Sequence, residues 1–154
     1  MRRIILSVSL VTLGASAVFA HLSTDPCVRD LPGTRSWWMD RFLEKRALAA
    51  KGGYPVVFIG DSITHYWETK GKETWEKNFE TGECRALNVG FSADCTEHVL
   101  WRLQHGQLDG TDPKAIVLMI GTNNRTDPPE DVAAGYRIML DALMPVLERF
   151  IPAL

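Results

Sequence analysis

Three short polar runs in this sequence each follow an apolar run and each carries a residue type suited to acyl chemistry. The first is Gly60-Asp61-Ser62-Ile63-Thr64, the second Asn88-Val89-Gly90-Phe91-Ser92-Ala93-Asp94, the third Gly121-Thr122-Asn123-Asn124. A serine at a sharp strand-to-helix turn exposes its hydroxyl, and its backbone N–H lies at a helix N-terminus, where developing negative charge is favoured. An asparagine side chain is a neutral donor suited to the oxyanion of a tetrahedral intermediate. Taken alone, Gly60-Asp61-Ser62 fits a helix-capping serine as well as a nucleophile. What gives the pattern weight is that three consecutive apolar runs each lead into such a group.

The elements that must position these groups follow from the hydrophobic pattern. Tyr54–Gly60, Arg85–Gly90 and Ala115–Gly121 are short, nearly continuous apolar runs ending in glycine, the pattern of strands buried on both faces of a parallel sheet. Between them Ile63 to Phe79 reads as helix with a break near Gly71, and Thr96 to Gln104 as a second helix. Leu31 to Ala50 predicts a leading helix, with Trp37, Trp38, Arg41, Phe42 and Ala47 at helical spacing and Lys51-Gly52-Gly53 as its stop. Its tryptophans are expected in packing and not as a ligand platform. Asp127-Pro128-Pro129-Glu130 starts a last helix with a capping candidate and early acids. Val132, Tyr136, Met139, Leu143 and Val146 form its apolar stripe, and Pro145 is expected to kink or end it. Alternating strands and helices imply an α/β, doubly wound, flavodoxin-like three-layer fold with right-handed crossovers. In such sheets sites lie at the carboxyl ends of the strands, where all three polar runs fall.

Composition narrows the function classes. The 154 residues are 45% hydrophobic and 23% charged, the range of a soluble globular domain. Arg2 and Arg3, the apolar stretch Ile4 to Leu13 and the small-residue approach to Val18-Phe19-Ala20 predict a secretory signal peptide over residues 1–20, cleaved after Ala20. A secreted or periplasmic location follows, with residues 21–154 as one domain. The stretch is shorter than the roughly 20 residues of a spanning helix, so no stable membrane insertion is expected. Cleavage lowers the basic count from 17 to 15 against 19 acids, a formal charge of −4. With no basic stripe, a nucleic-acid partner is excluded. No His/Cys/Asp cluster has metal-ligand spacing, and neither metal nor cofactor is expected. Three cysteines leave at least one thiol unpaired. Cys84 and Cys95 flank one strand, about 20 Å apart, and should not bond; a Cys27–Cys84 pair is left open, with nothing in the sequence to support it.

In order, VVFIGDSITHYWE, ALNVGFSADCTEHVLWRLQHGQL and VLMIGTNN resemble the first three conserved blocks of SGNH (GDSL-like) hydrolases. The subgroup they are most similar to is that of platelet-activating-factor acetylhydrolase catalytic subunits and their bacterial esterase relatives. The likeness covers about Tyr54 to Met144 and implies a serine ester hydrolase acting on a small acyl ester, with acetylated carbohydrates suiting a secreted relative. It implies Ser62 as nucleophile and an oxyanion hole made of the N–H groups of Ser62 and Ala93 and the side-chain amide of Asn123. Asp61, Gly90, Asp94 and Asn124 are implied as loop supports.

The sequence departs from the family pattern at three points. Alanine stands at position 93 where relatives usually have glycine, which keeps the N–H donor but is strained if the loop needs a positive φ. Cys95 replaces a polar residue, with no evident base to activate it as a nucleophile. The resemblance also implies a general-base histidine in an Asp-x-x-His segment beyond two further strands. His21, His65, His98 and His105 all lie upstream of where that segment should come. His65 lies on the helix of Ser62 and is expected to line the pocket, while His98 and His105 read as structural. The expectation is therefore a domain incomplete at its C-terminus, lacking the last strands of the family fold and weak or inactive on its own. Its third strand is expected to form a bare sheet edge with exposed apolar surface. The alternatives are a non-catalytic glycan-binding remnant and a gene fragment.

Overall fold

A computed structural model describes residues 23–29 and 37–148. The signal-peptide reading, and the part of the leading helix before Trp37, lie outside the described residues. The elements are α1 (Trp37–Ala50), β1 (Val56–Gly60), α2 (Ser62–His65) with a 3-10 turn (Tyr66–Glu68), and α3 (Lys72–Phe79). They continue as β2 (Ala86–Gly90), α4 (Thr96–Gln104), β3 (Ala115–Met119) and α5 (Pro129–Glu148). The sheet is parallel with strand order β2-β1-β3, Gly60 facing Gly90 on one side and Met119 on the other. The chain thus leaves the central strand for one neighbour and returns for the other. This is the strand-order reversal at which doubly wound sheets place their sites.

Period-2 alternation sends successive side chains to opposite faces of the sheet. Val57, Ile59, Leu87 and Val89 join Trp38, Phe42, Val99, Leu100, Met139 and Leu143 in one buried cluster on the side of α1, α4 and α5. On the other face Phe58 packs edge-on against Trp75 and Phe79 of α3, with centroids 5.2 and 5.1 Å away. Helices therefore flank both faces of the sheet, as the sequence pattern requires.

Three details correct the sequence expectations. In α1 the inward face is Trp38, Arg41, Phe42, Lys45 and Ala49: Trp38, Arg41 and Phe42 are buried at the expected spacing, whereas Trp37 is half-exposed and Ala47 exposed, and the face continues through Lys45 and Ala49 instead. Pro145 does not end α5, which continues to Glu148. β3 is packed on one face only. Ile116 and Leu118 touch the core, whereas Val117 and Met119 stay 44% and 38% exposed, since no described element covers them. Among the described residues β3 is an edge strand with an apolar outer face.

Gly135 shows why a helix interior here keeps a residue of low helix propensity. A Cβ at this position meets the carbonyl oxygen of Ser23 at 2.5 Å and the Thr96 Cβ at 3.2 Å. Glycine to alanine in an open helix gains about 1 kcal/mol. Here overpacking, at roughly 1–3 kcal/mol, outweighs that gain. Gly135→Ala is expected to lower the urea midpoint, and a raised midpoint would show that the Ser23 segment yields easily.

Candidate active site

The turn after β1 is built by Asp61. Its Oδ1 accepts the Ile63 N–H at 2.9 Å, making Asp61 the N-cap of α2 and Ser62 the first helical residue. The capping reading of Ser62 is therefore excluded by geometry: the cap is its neighbour. Ser62 is half-buried, while Asp61 is fully buried and its second carboxylate oxygen has no partner among the described residues. The helix of Ser62 lies hard against the end of β2. A Cβ on Gly90 stands 2.4 Å from the His65 nitrogen and 2.6 Å from the Thr64 Cβ, so only glycine allows this approach. Asn88, buried in β2, fastens the same junction by donating to Thr64 O and accepting from Gly90 N, both at 2.8 Å.

The loop after β2 carries Ala93 at φ 61°, the only non-glycine residue with positive φ among those described. The left-handed region costs an L-residue other than glycine about 1–2 kcal/mol. Such a conformation persists only where its surroundings over-determine it. They do so on both sides. Ser92 on one side gives its carbonyl to Arg29 and its N–H and hydroxyl to Nδ1 of His65. Asp94 on the other is buried, with Oδ1 accepting from Trp38 Nε1 at 2.7 Å and Oδ2 from Arg102 Nε at 3.1 Å. Arg102 is fully buried, stacks 4.0 Å over the Phe91 ring and donates to Val89 O. Its Nη2 lies 3.0 Å from Asp94 Oδ2, off hydrogen-bond geometry but within ion-pair distance. Burial pushes the Asp94 carboxyl up to about 6, against the opposing pull of Arg102. Because Ala93 is exposed and strained, Ala93→Gly is expected to raise the melting temperature, by about 1 kcal/mol of stability once the extra chain entropy of glycine is deducted. A lowered melting temperature would mean that the alanine methyl is a packing contact.

The loop after β3 closes the arrangement. Asn123 Nδ2 donates to Asp94 O at 2.8 Å, bridging the β3 and β2 loops, and its second amide hydrogen remains for a ligand. Asn124 is buried: its Oδ1 accepts from Thr96 N at 3.1 Å, and its Nδ2 reaches Glu97 at 3.0 Å and Asp127 at 2.9 Å. Ser23 joins this network through Asp127 and Thr96, so the segment Ser23–Arg29 is tied to both loops. Hydrogen bonds from Asn124 and Ser23 hold the Asp127 carboxyl below the usual carboxylate range.

The structure thus brings Ser62, Ala93 and Asn123 to the same end of three adjacent parallel strands. Asp61, Gly90, Asp94 and Asn124 lie in or under the loops that hold them. The roles of His65, Ser23, Asn88 and Arg102 as fasteners are not singled out by the sequence, since the contacts of His65 with Ser92, Ser23 with Asn124 and Asn88 with Thr64 join residues 27, 101 and 24 positions apart, and the pairing of Arg102 with Asp94 spans a loop and a helix. His65 lines this region but its Nδ1 is engaged by Ser92, not Ser62. His105 stacks on Trp101. The three thiols are free, so Cys27 and Cys84 are not bridged. Burial, reinforced by Glu97, pushes the Cys95 thiol up to about 12, which leaves it protonated and a poor nucleophile.

One grouping escaped the sequence spacing: ligand atoms of Cys27, Glu97 and His98 lie within 4.8 Å of one another. His98 Nδ1 accepts the Cys95 N–H at 2.9 Å in a capping box, which puts the proton of the neutral ring on Nε2. A metal would have to displace one or the other. Among the described residues no helix is long and apolar enough to cross a membrane.

A serine turn at the central strand and asparagine- and alanine-bearing loops at its two neighbours thus share one edge of an α/β sheet. Residues 58–149 match the model of the GDSL-like lipase/acylhydrolase family, and the chain belongs to that family. Among its relatives is the platelet-activating factor acetylhydrolase IB subunit beta homolog of Drosophila melanogaster, 37% identical over 118 residues, 72% of this chain and 49% of the relative. The human subunit alpha2 is 35% identical over 115 residues, 74% of this chain and 48% of the relative. The alpha1 subunit of Rattus norvegicus is 37% identical over 115 residues, 73% and 47% of the two chains. The chain spans about half the length of these relatives.

Proposed function

We propose that this chain provides the nucleophile and oxyanion hole of a secreted or periplasmic serine esterase that cleaves small acyl esters. The observation that carries this reading is the division of labour at the first turn. Asp61 caps α2, which leaves the Ser62 hydroxyl, at the end of the central strand, without a hydrogen-bond partner among the described residues. Ser62 Oγ attacks the ester carbonyl carbon, and the oxyanion is held by the N–H groups of Ser62 and Ala93 and by Asn123 Nδ2. The C–O bond then breaks, the alcohol leaves with a proton, and water releases the acid from the acyl-serine. The proton acceptor is the histidine of the Asp-x-x-His segment that the resemblance implies.

The acetylhydrolase names of the relatives support an acetyl group as the acyl part. An acetylated carbohydrate is favoured as the alcohol part by the surface next to Ser62. A shallow pocket of about 260 Å³ is lined by Ile63, Tyr66, Trp67, Lys70 and Gly71, and Tyr66 is 40% exposed. Apolar rings at a shallow surface suit the C–H face of a sugar ring, and Lys70, whose Nζ lies 4.5 Å over the Tyr66 ring, is the polar group beside them. Full-length protein is expected to label at Ser62 with a fluorophosphonate, to prefer p-nitrophenyl acetate over long-chain esters and to release acetate from acetylated oligosaccharides. Binding of those oligosaccharides without acetate release from any ester would overturn the enzyme reading in favour of a glycan-binding protein.

A further inference from the structure

We propose that His65 is a positioning residue that holds the oxyanion-hole loop in its strained conformation, and that acidification releases it. The inference rests on the esterase reading for its catalytic consequence. Its structural part stands on contacts already described. His65 closes α2, three residues after Ser62, and Nδ1 faces Ser92 Oγ at 2.9 Å and Ser92 N at 3.3 Å. An N–H can only donate, so Nδ1 is the unprotonated nitrogen of a neutral ring and both groups of Ser92 converge on its lone pair. Ser92 precedes Ala93, whose positive φ has to be imposed from outside. One side chain on the nucleophile's helix therefore fixes the backbone that presents the Ala93 N–H, and the two halves of the site are referenced to each other.

The surroundings keep the ring in place and neutral. Trp37 stacks on it at 5.9 Å and Tyr66 at 6.2 Å. From α1 it faces Arg41 and Lys45, and from the 3-10 turn Glu68, whose carboxylate is paired with both cations. On the loop side Arg29 holds the Ser92 carbonyl. Burial first, then Arg41 and Lys45, hold the imidazole below its usual range, with Glu68 opposing them. The neutral form is thus favoured by folding. The contribution is complete above the ordinary value of 6.5 and is lost as pH falls from there through the lower folded value. Protonation puts a hydrogen on Nδ1, which then opposes the Ser92 N–H. The hydroxyl can turn to accept from it; the backbone amide cannot.

Amide hydrogen exchange in the full-length protein reads this without any substrate. Protection of the Ser92 amide is expected to fall about tenfold in His65→Ala and to persist in His65→Asn, whose Oδ1 replaces Nδ1 as acceptor without titrating. In the wild type, protection corrected for intrinsic exchange is expected to fall as the His65 ring titrates, and in His65→Asn to stay flat. With p-nitrophenyl acetate, His65→Ala is expected to lower kcat about tenfold with little change in KM, less than loss of a whole oxyanion donor. In an Ala93→Gly background that penalty should shrink, since glycine does not need to be held. Unchanged Ser92 protection in His65→Ala, or a wild-type protection that ignores the titration, overturns the proposal. If Ser62 fails to label and no ester is cleaved, the esterase reading falls, and the exchange data still decide whether His65 holds the loop.

Discussion

Replacing Ser62 with alanine in the full-length protein is expected to remove ester hydrolysis, by roughly 10⁴- to 10⁶-fold in kcat, while leaving the melting temperature unchanged. The first half follows from the role proposed for Ser62: no other group at the end of β1 carries a hydroxyl on the first residue of a helix. The second half is the more discriminating. Had Ser62 been the cap of α2, its loss would cost about 1 kcal/mol. The cap is Asp61, whose Oδ1 takes the Ile63 N–H, so the Ser62 hydroxyl is dispensable for folding. Asp61→Ala should show the reverse stability pattern, with a lowered melting temperature. Steady-state hydrolysis of p-nitrophenyl acetate and thermal denaturation of the two variants check both halves. Activity near that of the wild type in Ser62→Ala would take Ser62 out of the mechanism.

Arg102→Met is expected to lower stability by about 3–5 kcal/mol near neutral pH. Arg102 and Asp94 are each fully buried, and the guanidinium is the cation in direct contact with that carboxylate. Removing it leaves a charge in the interior with only the Trp38 N–H as a described side-chain donor. The pH dependence has a definite sign. A folded carboxyl already raised from 3.8 to about 6 by burial will rise further without Arg102. A raised carboxyl loses stability as pH increases from its unfolded value through its folded one. The deficit of Arg102→Met should therefore narrow toward pH 4 and widen toward pH 8. Urea denaturation at several pH values measures it. A loss below about 1 kcal/mol at pH 7 would mean that solvent reaches Asp94.

Buried pairing also explains why the loops around Ser62 can be polar without being loose. Ala93 is held between Ser92 and Asp94, and Asn123 and Asn124 tie the next loop to the same backbone. Preorganised donors stabilise a transition state because they need no reorientation as charge develops. The strained Ala93 and the buried ion pair of Asp94 are neighbours in the chain, so the exposed loop is anchored from the core.

Much of this protein is legible in its sequence because the signals are local. Apolar runs ending in glycine identified β1, β2 and β3, and the stripe from Val132 to Val146 identified the inward face of α5. The order strand-helix-strand was enough to place Ser62, Ala93 and Asn123 at one sheet edge, since parallel strands must point the same way. Other features depend on exact turn geometry or on which residues the fold packs together, and only the tertiary structure decided them. Whether β3 is covered on one face or two depends on which helix lies over it, and Val117 and Met119 are equally apolar either way. Whether Ser62 or Asp61 caps α2 depends on a single turn's dihedral angles. The inward face of α1 takes in Lys45 because Lys45, like Arg41, pairs with Glu68, 23 and 27 residues away, a contact that periodicity cannot register. The contacts of His65 with Ser92, Arg102 with Asp94 and Ser23 with Asn124 join residues 27, 8 and 101 positions apart. Hydrogen bonds are short-ranged in space and indifferent to distance along the chain, so they appear only once the fold has brought their partners together.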